Sequence, residues 1–126
     1  MNTATPRDGA LRRLKNRSEF LKAARGQRVG RAAFSLQANA RDVLEPEHSL
    51  AQPGIGFTVT KQMGNSPQRN RIRRRLRAAA KACASGFEPQ HDYVLVGRRE
   101  ALNIPYGQLV NDLAAAISKV HLKKKS

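Results

Sequence analysis

The sequence predicts a single α+β domain, and three observations carry that reading. Two stretches, "AAFSLQAN" and "GIGFTVTK", alternate apolar residues with polar or small ones, the period of a strand covered on one side. A third, "DYVLVGR", is a continuous apolar run of strand length bounded by charge, which suits a central strand covered on both faces. Helical patterns alternate with these strands, and one of them packs six arginines between Arg69 and Arg77. At 126 residues and 40% apolar content, the chain can furnish one modest core. The expected sheet has about four strands.

In chain order, residues 1–13 read as a flexible basic arm without the apolar core of a secretory signal. Its charge continues through "RRLKNR" to Arg17. Ser18 can cap a short helix with Glu19 in its first turn, carrying Phe20, Leu21 and Ala24 inward, and Gly26 suits the stop. In the first strand, Ala32, Phe34, Leu36 and Ala38 share one face. From Arg41 to Gly54, prolines, a glycine and three acids mark an exposed connecting loop. In "GIGFTVTK", Ile55, Phe57 and Val59 oppose Gly56, Thr58 and Thr60. The second face is thus polar but uncharged, and could floor a groove.

The arginine helix follows. Asn65 or Ser66 can take up the first free backbone N–H groups, and Pro67 sits where a missing N–H costs nothing. At 100° per residue Ile72, Leu76, Ala79, Ala80 and Cys83 gather on one arc. Arg69, Arg73 and Arg77 flank that arc, and Arg71, Arg74, Arg75 and Lys81 take most of the remaining circumference. Arg75, nearest the stripe, is expected to run along the sheet edge. Leu109, Leu113 and Ile117, with Val110 and Val120 beside them, predict an amphipathic helix over Tyr106–Val120. Residues 121–126 then form a basic tail, leaving 14–120 as the folded domain.

Lysine and arginine outnumber aspartate and glutamate 24 to 9, for a formal charge of +15. No acid lies between Glu47 and Glu88, a span that contains the whole arginine cluster. Such a chain repels itself unless a polyanion is near, which makes nucleic acid the first candidate partner. No apolar run approaches the length of a membrane span, so no membrane partner and a cytoplasmic location are expected. Cys83 is the only cysteine; it excludes an intrachain disulfide and a cysteine-rich zinc site, and suits core packing.

No residue pattern offers catalysis by the protein itself. His48, His91 and His121 fall in a loop, before a strand and in the tail, without the spacing of a metal or acid–base couple. They read as surface residues, as do Asp92 at a strand edge and Asp112 on a helix. No catalytic residue and no metal ligand is therefore assigned. A helix-turn-helix regulator would place a second helix before the recognition helix, whereas "VTKQMGNSPQ" reads as strand plus turn, so DNA is not the expected partner.

Taken together in order and spacing, Val59-Thr60-Lys61, Gly64-Asn65 and Arg69-Asn70-Arg71, with basic residues at 73, 74 and 77, resemble the protein component of bacterial ribonuclease P. The leucine-to-"EF" pattern ending at Phe20 and the "DYVLVGR" strand extend the resemblance over about Leu14 to Ile117. It implies an α/β sandwich in which the basic helix lies on one face and joins neighbouring strands by a left-handed crossover. It also implies a subunit that binds a large catalytic RNA and the 5′ leader of precursor tRNA, assisting endonucleolytic removal of that leader. The alternative is a structural, ribosomal-type RNA-binding protein with no part in cleavage.

On this resemblance the RNA-binding residues are Lys61, Asn65, Arg69, Asn70, Arg71, Arg73, Arg74 and Arg77. The leader would meet Phe20, Ala24, Gln37, Thr58 and Thr60, with Phe20 serving either as a stacking surface or as core. Ala24, Gln37 and Gln62 depart from the family pattern, which often carries aromatics at the first two positions and a lysine at the third. Magnesium is the implied ion of the holoenzyme, held mainly by RNA phosphates, with none bound by the protein alone.

Overall fold

The computed structural model describes residues 11–40, 53–88 and 91–125. Its elements are β1 (Arg12–Arg13), α1 (Arg17–Ala24), β2 (Gln27–Gly30), β3 (Phe34–Ala40), β4 (Gly54–Thr58), α2 (Ser66–Ala82), β5 (His91–Gly97) and α3 (Tyr106–Lys125). Short 3-10 turns occupy Lys61–Met63, Ala84–Gly86 and Arg99–Leu102. One mixed sheet runs β1-β4-β5-β3-β2. β5 is central, as its unbroken apolar run predicts, parallel to β4 and antiparallel to β3.

Five strands replace the expected four or so. β1 is two residues long, too short for any periodicity, and exists because Arg12 and Arg13 pair with Gly54 and Ile55. It recruits the end of the segment expected to be an arm. β2 buries only Val29 and so shows no alternation; its register against β3 defines it. Of the predicted loop from Arg41 to Gly54, residues 41–52 lie outside the described residues, and Gly54 already belongs to β4.

The two faces of the sheet are covered unequally. On one, Phe34, Leu36, Ile55, Val59, Tyr93 and Leu95 meet Ile72, Leu76, Ala79 and Ala80 of α2 and Leu109, Leu113, Ile117 and Val120 of α3. Each fully buried leucine or isoleucine here contributes about 1.5–3 kcal/mol. Cys83 closes this core as predicted, and burial pushes its thiol above the usual range. Gly97 lets α2 descend onto the sheet, because a Cβ there would stand 2.7 Å from Ile72 Cγ2 and 3.1 Å from Leu76 Cδ1. Among the described residues the opposite face carries only α1, over a small cluster of Leu14, Ala23 and Val94 with Phe20 and Val96 against it.

Helix ends differ from expectation at two places. α1 is capped by Asn16, two residues before Ser18, because the Glu19 carboxylate accepts the N–H groups of Lys15 at 2.9 Å and Asn16 at 3.1 Å. Only Ala23 of this helix is fully buried; Leu21 is 50% exposed and Ala24 is exposed, so neither points inward. A helix this short has one sheet-facing stripe, and Phe20 and Ala23 fill it. α3 continues five residues beyond the predicted end at Val120, since no glycine or proline follows to stop it. His121 is thereby helical, not part of a tail.

Candidate nucleic-acid interface

The basic helix is held in place by its own start. Gly64 adopts φ 141°, a conformation that favours glycine, and delivers the chain to Asn65. Asn65 and Gln68 then form a reciprocal cap: Gln68 N–H donates to Asn65 Oδ1 at 2.9 Å, and Asn65 N–H to Gln68 Oε1 at 2.8 Å. The predicted apolar stripe is buried against the sheet, which fixes the rotation of α2 and sends its other side chains outward.

The predicted arginines do not all face outward alike. Asn70, Arg73, Arg74 and Arg77 line one open concavity together with Pro67. Arg71 and Arg74 are exposed, as are Lys61 and Asn65 at the head of the helix. Arg73 Nη1 donates to Asn70 Oδ1 at 3.2 Å, which sets both side chains side by side. Arg77 is half-buried with its guanidinium 5.5 Å from the centre of the Phe57 ring, a cation–π arrangement that presents the fork rigidly. Phe57 packs half-buried against the core and serves as that platform. Arg69 is partly spent at the helix start, where it donates to Gly64 O at 3.2 Å and Ser66 Oγ at 3.1 Å.

Arg75 is different in kind. It does not lie along a strand edge; its two terminal nitrogens donate to the carbonyls of Ala101 at 2.7 Å and Ile104 at 2.6 Å. The fork therefore clamps the turn that follows β5 instead of facing solvent. Periodicity placed Arg75 beside the stripe but could not show these carbonyls, which come from residues 26 and 29 positions away.

On the other face of the sheet, Gly56, Thr58, Val96 and Gln37 lie on the α1 side by strand alternation and register. The Phe20 ring seats directly over Gly56, where a Cβ would collide with it. Phe20 is half-buried against the Leu14 cluster, so it is part core and part open surface. Thr58 follows Gly56 by two residues, and Gln37 lies two strands away at the same level through Val94; both are half-buried. Ala24 is exposed one turn after Phe20, and Thr60 is exposed just beyond β4. These five residues thus share one side of the sheet and its rim.

Several polar contacts were not legible in the sequence. Arg12, pairing through β1, reaches Glu19 at 3.3 Å and Asp92 at 3.4 Å. Asp92 is only 8% exposed, which corrects its assignment as a surface charge. For Glu19, burial pushes the carboxyl up, but the N–H groups of Asn16 and Lys15 and the Arg12 guanidinium together hold it below its ordinary value. Arg28 Nε donates to Ser35 Oγ at 3.2 Å on the groove side. His91 is 9% exposed and His121 lies 2.7 Å from the Tyr93 hydroxyl, so neither is the surface residue expected. Burial pushes the Tyr93 phenol well up, keeping it protonated.

Comparison with known proteins fits this geometry. A family model described as Ribonuclease P matches residues 10–121. The chain is 42% identical over 113 residues to the ribonuclease P protein component of Ruegeria pomeroyi, covering 88% of this chain and 87% of that one. To the protein component of Paramagnetospirillum magneticum it is 40% identical over 117 residues, covering 92% and 87%. In structure it resembles the RNase P protein of Staphylococcus aureus, with a TM-score of 0.67 at 24% identity over 86% of this chain and 95% of that one. The RNase P protein of Thermotoga maritima gives 0.69 at 16% identity over 86% and 96%.

Proposed function

The chain belongs to the ribonuclease P protein family, and from that premise we propose that its two sheet faces divide the binding of two RNAs. As a family member it is the accessory protein subunit of a ribonucleoprotein endoribonuclease, with RNA as its partner. In our reading the outer arc of α2, with Asn70, Arg71, Arg73, Arg74 and Arg77, holds the catalytic RNA. The α1 side of the sheet holds the 5′ leader of precursor tRNA. The observation that carries this is an open concavity formed by four of the predicted RNA-binding side chains on a capped, core-anchored helix. Guanidinium forks bind phosphate oxygens in pairs of hydrogen bonds, and release of counterions makes such binding strong and salt-sensitive.

For the leader, the Phe20 ring offers a stacking surface, and the Thr58 and Thr60 hydroxyls and the Gln37 amide offer hydrogen bonds to bases or phosphates. Lys61 adds charge at the strand end. The RNA carries the bond cleavage and, in the holoenzyme, the magnesium. Magnesium selects oxygen ligands and water, which RNA phosphates supply. No helix among the described residues is long and apolar enough to cross a membrane, and we place the subunit in the cytoplasm with its RNA. The test is reconstitution. Purified protein added to ribonuclease P RNA from the same source is expected to restore precursor-tRNA cleavage at low magnesium. No stimulation would overturn the reading and return a purely structural RNA-binding role.

A further inference from the structure

We propose that Glu88, His91 and His121 form a binding site for a divalent transition ion of the zinc class, joining the end of α3 to the start of β5. Two chain segments supply them: Glu88, after the 3-10 turn that follows α2, and His91, which begins β5, lie three positions apart, and His121 comes from the last turns of α3. Their ligand atoms all lie within 4.8 Å of one another. Two imidazoles and one carboxylate, with room for a water, are a donor set that zinc accepts in tetrahedral geometry. With bonds of about 2.0–2.1 Å, ligand atoms around such an ion stand roughly 3.3 Å apart, so closure by up to about 1.5 Å completes the site. Glu88 is exposed and can supply most of that movement by side-chain rotation.

The orientation of His121 is the strongest argument. Its Nε2 lies 2.7 Å from the Tyr93 hydroxyl oxygen, and that oxygen also accepts the Glu88 backbone N–H at 2.8 Å. Tyr93 is fully buried and so cannot turn away. The Tyr93 hydroxyl thus holds the ring through Nε2 and turns Nδ1 toward Glu88 Oε1, 3.9 Å away. A metal-bound histidine commonly has such a second hydrogen bond on its other nitrogen, which fixes the ring and its tautomer. The His91 ring stands edge-on to the His121 ring, with centroids 5.2 Å apart and planes at 86°. Beside the two histidines lies a cavity of about 170 Å³, lined also by Gly26, Gln27, Asn39 and Val120, with room for a water next to the imidazoles.

The ion is structural in this proposal and distinct from the magnesium that the RNA holds. It differs from the sequence expectation that the protein alone binds no metal. The test uses full-length, tag-free protein stripped with a chelator and titrated with Co²⁺, whose tetrahedral complexes absorb visibly. The wild type is expected to develop visible bands that saturate at one equivalent, vanish on adding Zn²⁺ and are not displaced by excess Mg²⁺. Glu88→Ala, at an exposed position, and His121→Gln are each expected to weaken binding more than about tenfold. Glu100→Gln, exposed in the 3-10 turn after β5, is expected to leave it unchanged. Thermal unfolding of the same samples is expected to show Zn²⁺ raising the melting temperature of the wild type and not of Glu88→Ala. Absence of a saturable spectrum in folded wild type, its survival in folded Glu88→Ala, or its loss in Glu100→Gln would each overturn the proposal.

Discussion

Replacing Arg75 with alanine separates the two roles that arginines play on α2. Arg75 makes two short charge-assisted bonds, 2.7 and 2.6 Å long, to the carbonyls of Ala101 and Ile104. Bonds to charged groups contribute about 1.5–3 kcal/mol each, and half-burial of this side chain places both near the lower end. Ala101 is fully buried, so water replaces the guanidinium poorly at that carbonyl. The expected loss is about 2–4 kcal/mol, or roughly 10 °C in Tm for a domain of this size. Circular dichroism melting measures it directly. The salt dependence of affinity for the ribonuclease P RNA measures the other role, and for Arg75→Ala the log–log slope is expected to stay unchanged. Arg74→Ala is expected to do the reverse: stability within about 0.5 kcal/mol of wild type, and a slope reduced by about 0.7–0.9 for the lost phosphate contact. Arg75→Lys keeps the charge but cannot span two carbonyls, so it is expected to recover less than half of the stability. A stable Arg75→Ala protein with a flattened salt slope would refute the clamp and return Arg75 to the RNA surface.

Ala24 is exposed, so Ala24→Phe is expected to cost under about 0.5 kcal/mol in stability and to tighten leader-bearing precursor tRNA by up to about 1 kcal/mol. Mature tRNA serves as the control, and equal tightening of both RNAs would remove position 24 from the groove. Gly97→Ala drives a methyl group into Ile72 and Leu76 and is expected to lower stability by about 1–3 kcal/mol, read from the urea midpoint; an unchanged midpoint would show that α2 can lift off β5 freely. Glu19 is held below its ordinary carboxylate value of 4.5, so its contribution is complete above that pH and is lost as pH falls through the lowered folded value. Glu19→Gln is therefore expected to destabilise the protein at neutral pH and to converge with wild type in acid, as followed by urea unfolding across that range.

What the sequence showed and hid follows the range of each interaction. Ile72, Leu76 and Ala79 declared their shared face through the 3.6-residue period alone, and Asn65 with Pro67 marked the start of the helix, because both signals are local. β5 was legible as central because burial on both faces removes alternation. Asp92 was misread as surface because its partner, Arg12, lies 80 positions away and reaches it only through a two-residue strand. His91 and His121 were misread for the same reason: spacing along the chain carries no trace of a meeting between the start of a strand and the end of a helix. On the α1 side of the sheet, Thr58 was legible from alternation and Phe20 from helical phase, while Leu21 and Ala24 do not point inward as expected, since a short helix exposes most of its circumference.

The central strand is also the last strand to be synthesised. β3 and β4 both pair with β5 and not with each other, so the sheet has no middle until residue 97 has left the ribosome. Before then the nascent chain holds a β2–β3 hairpin and a two-residue parallel pair, neither of which is stable alone. The six arginines from Arg69 to Arg77 emerge earlier, on a helix whose apolar stripe still lacks the Leu95 and Tyr93 side chains it will cover. A chain interrupted before β5 is therefore a polycation without a shape, able to adhere to any RNA and to recognise none. Completion of one apolar strand converts that indiscriminate charge into a surface with a fixed pattern.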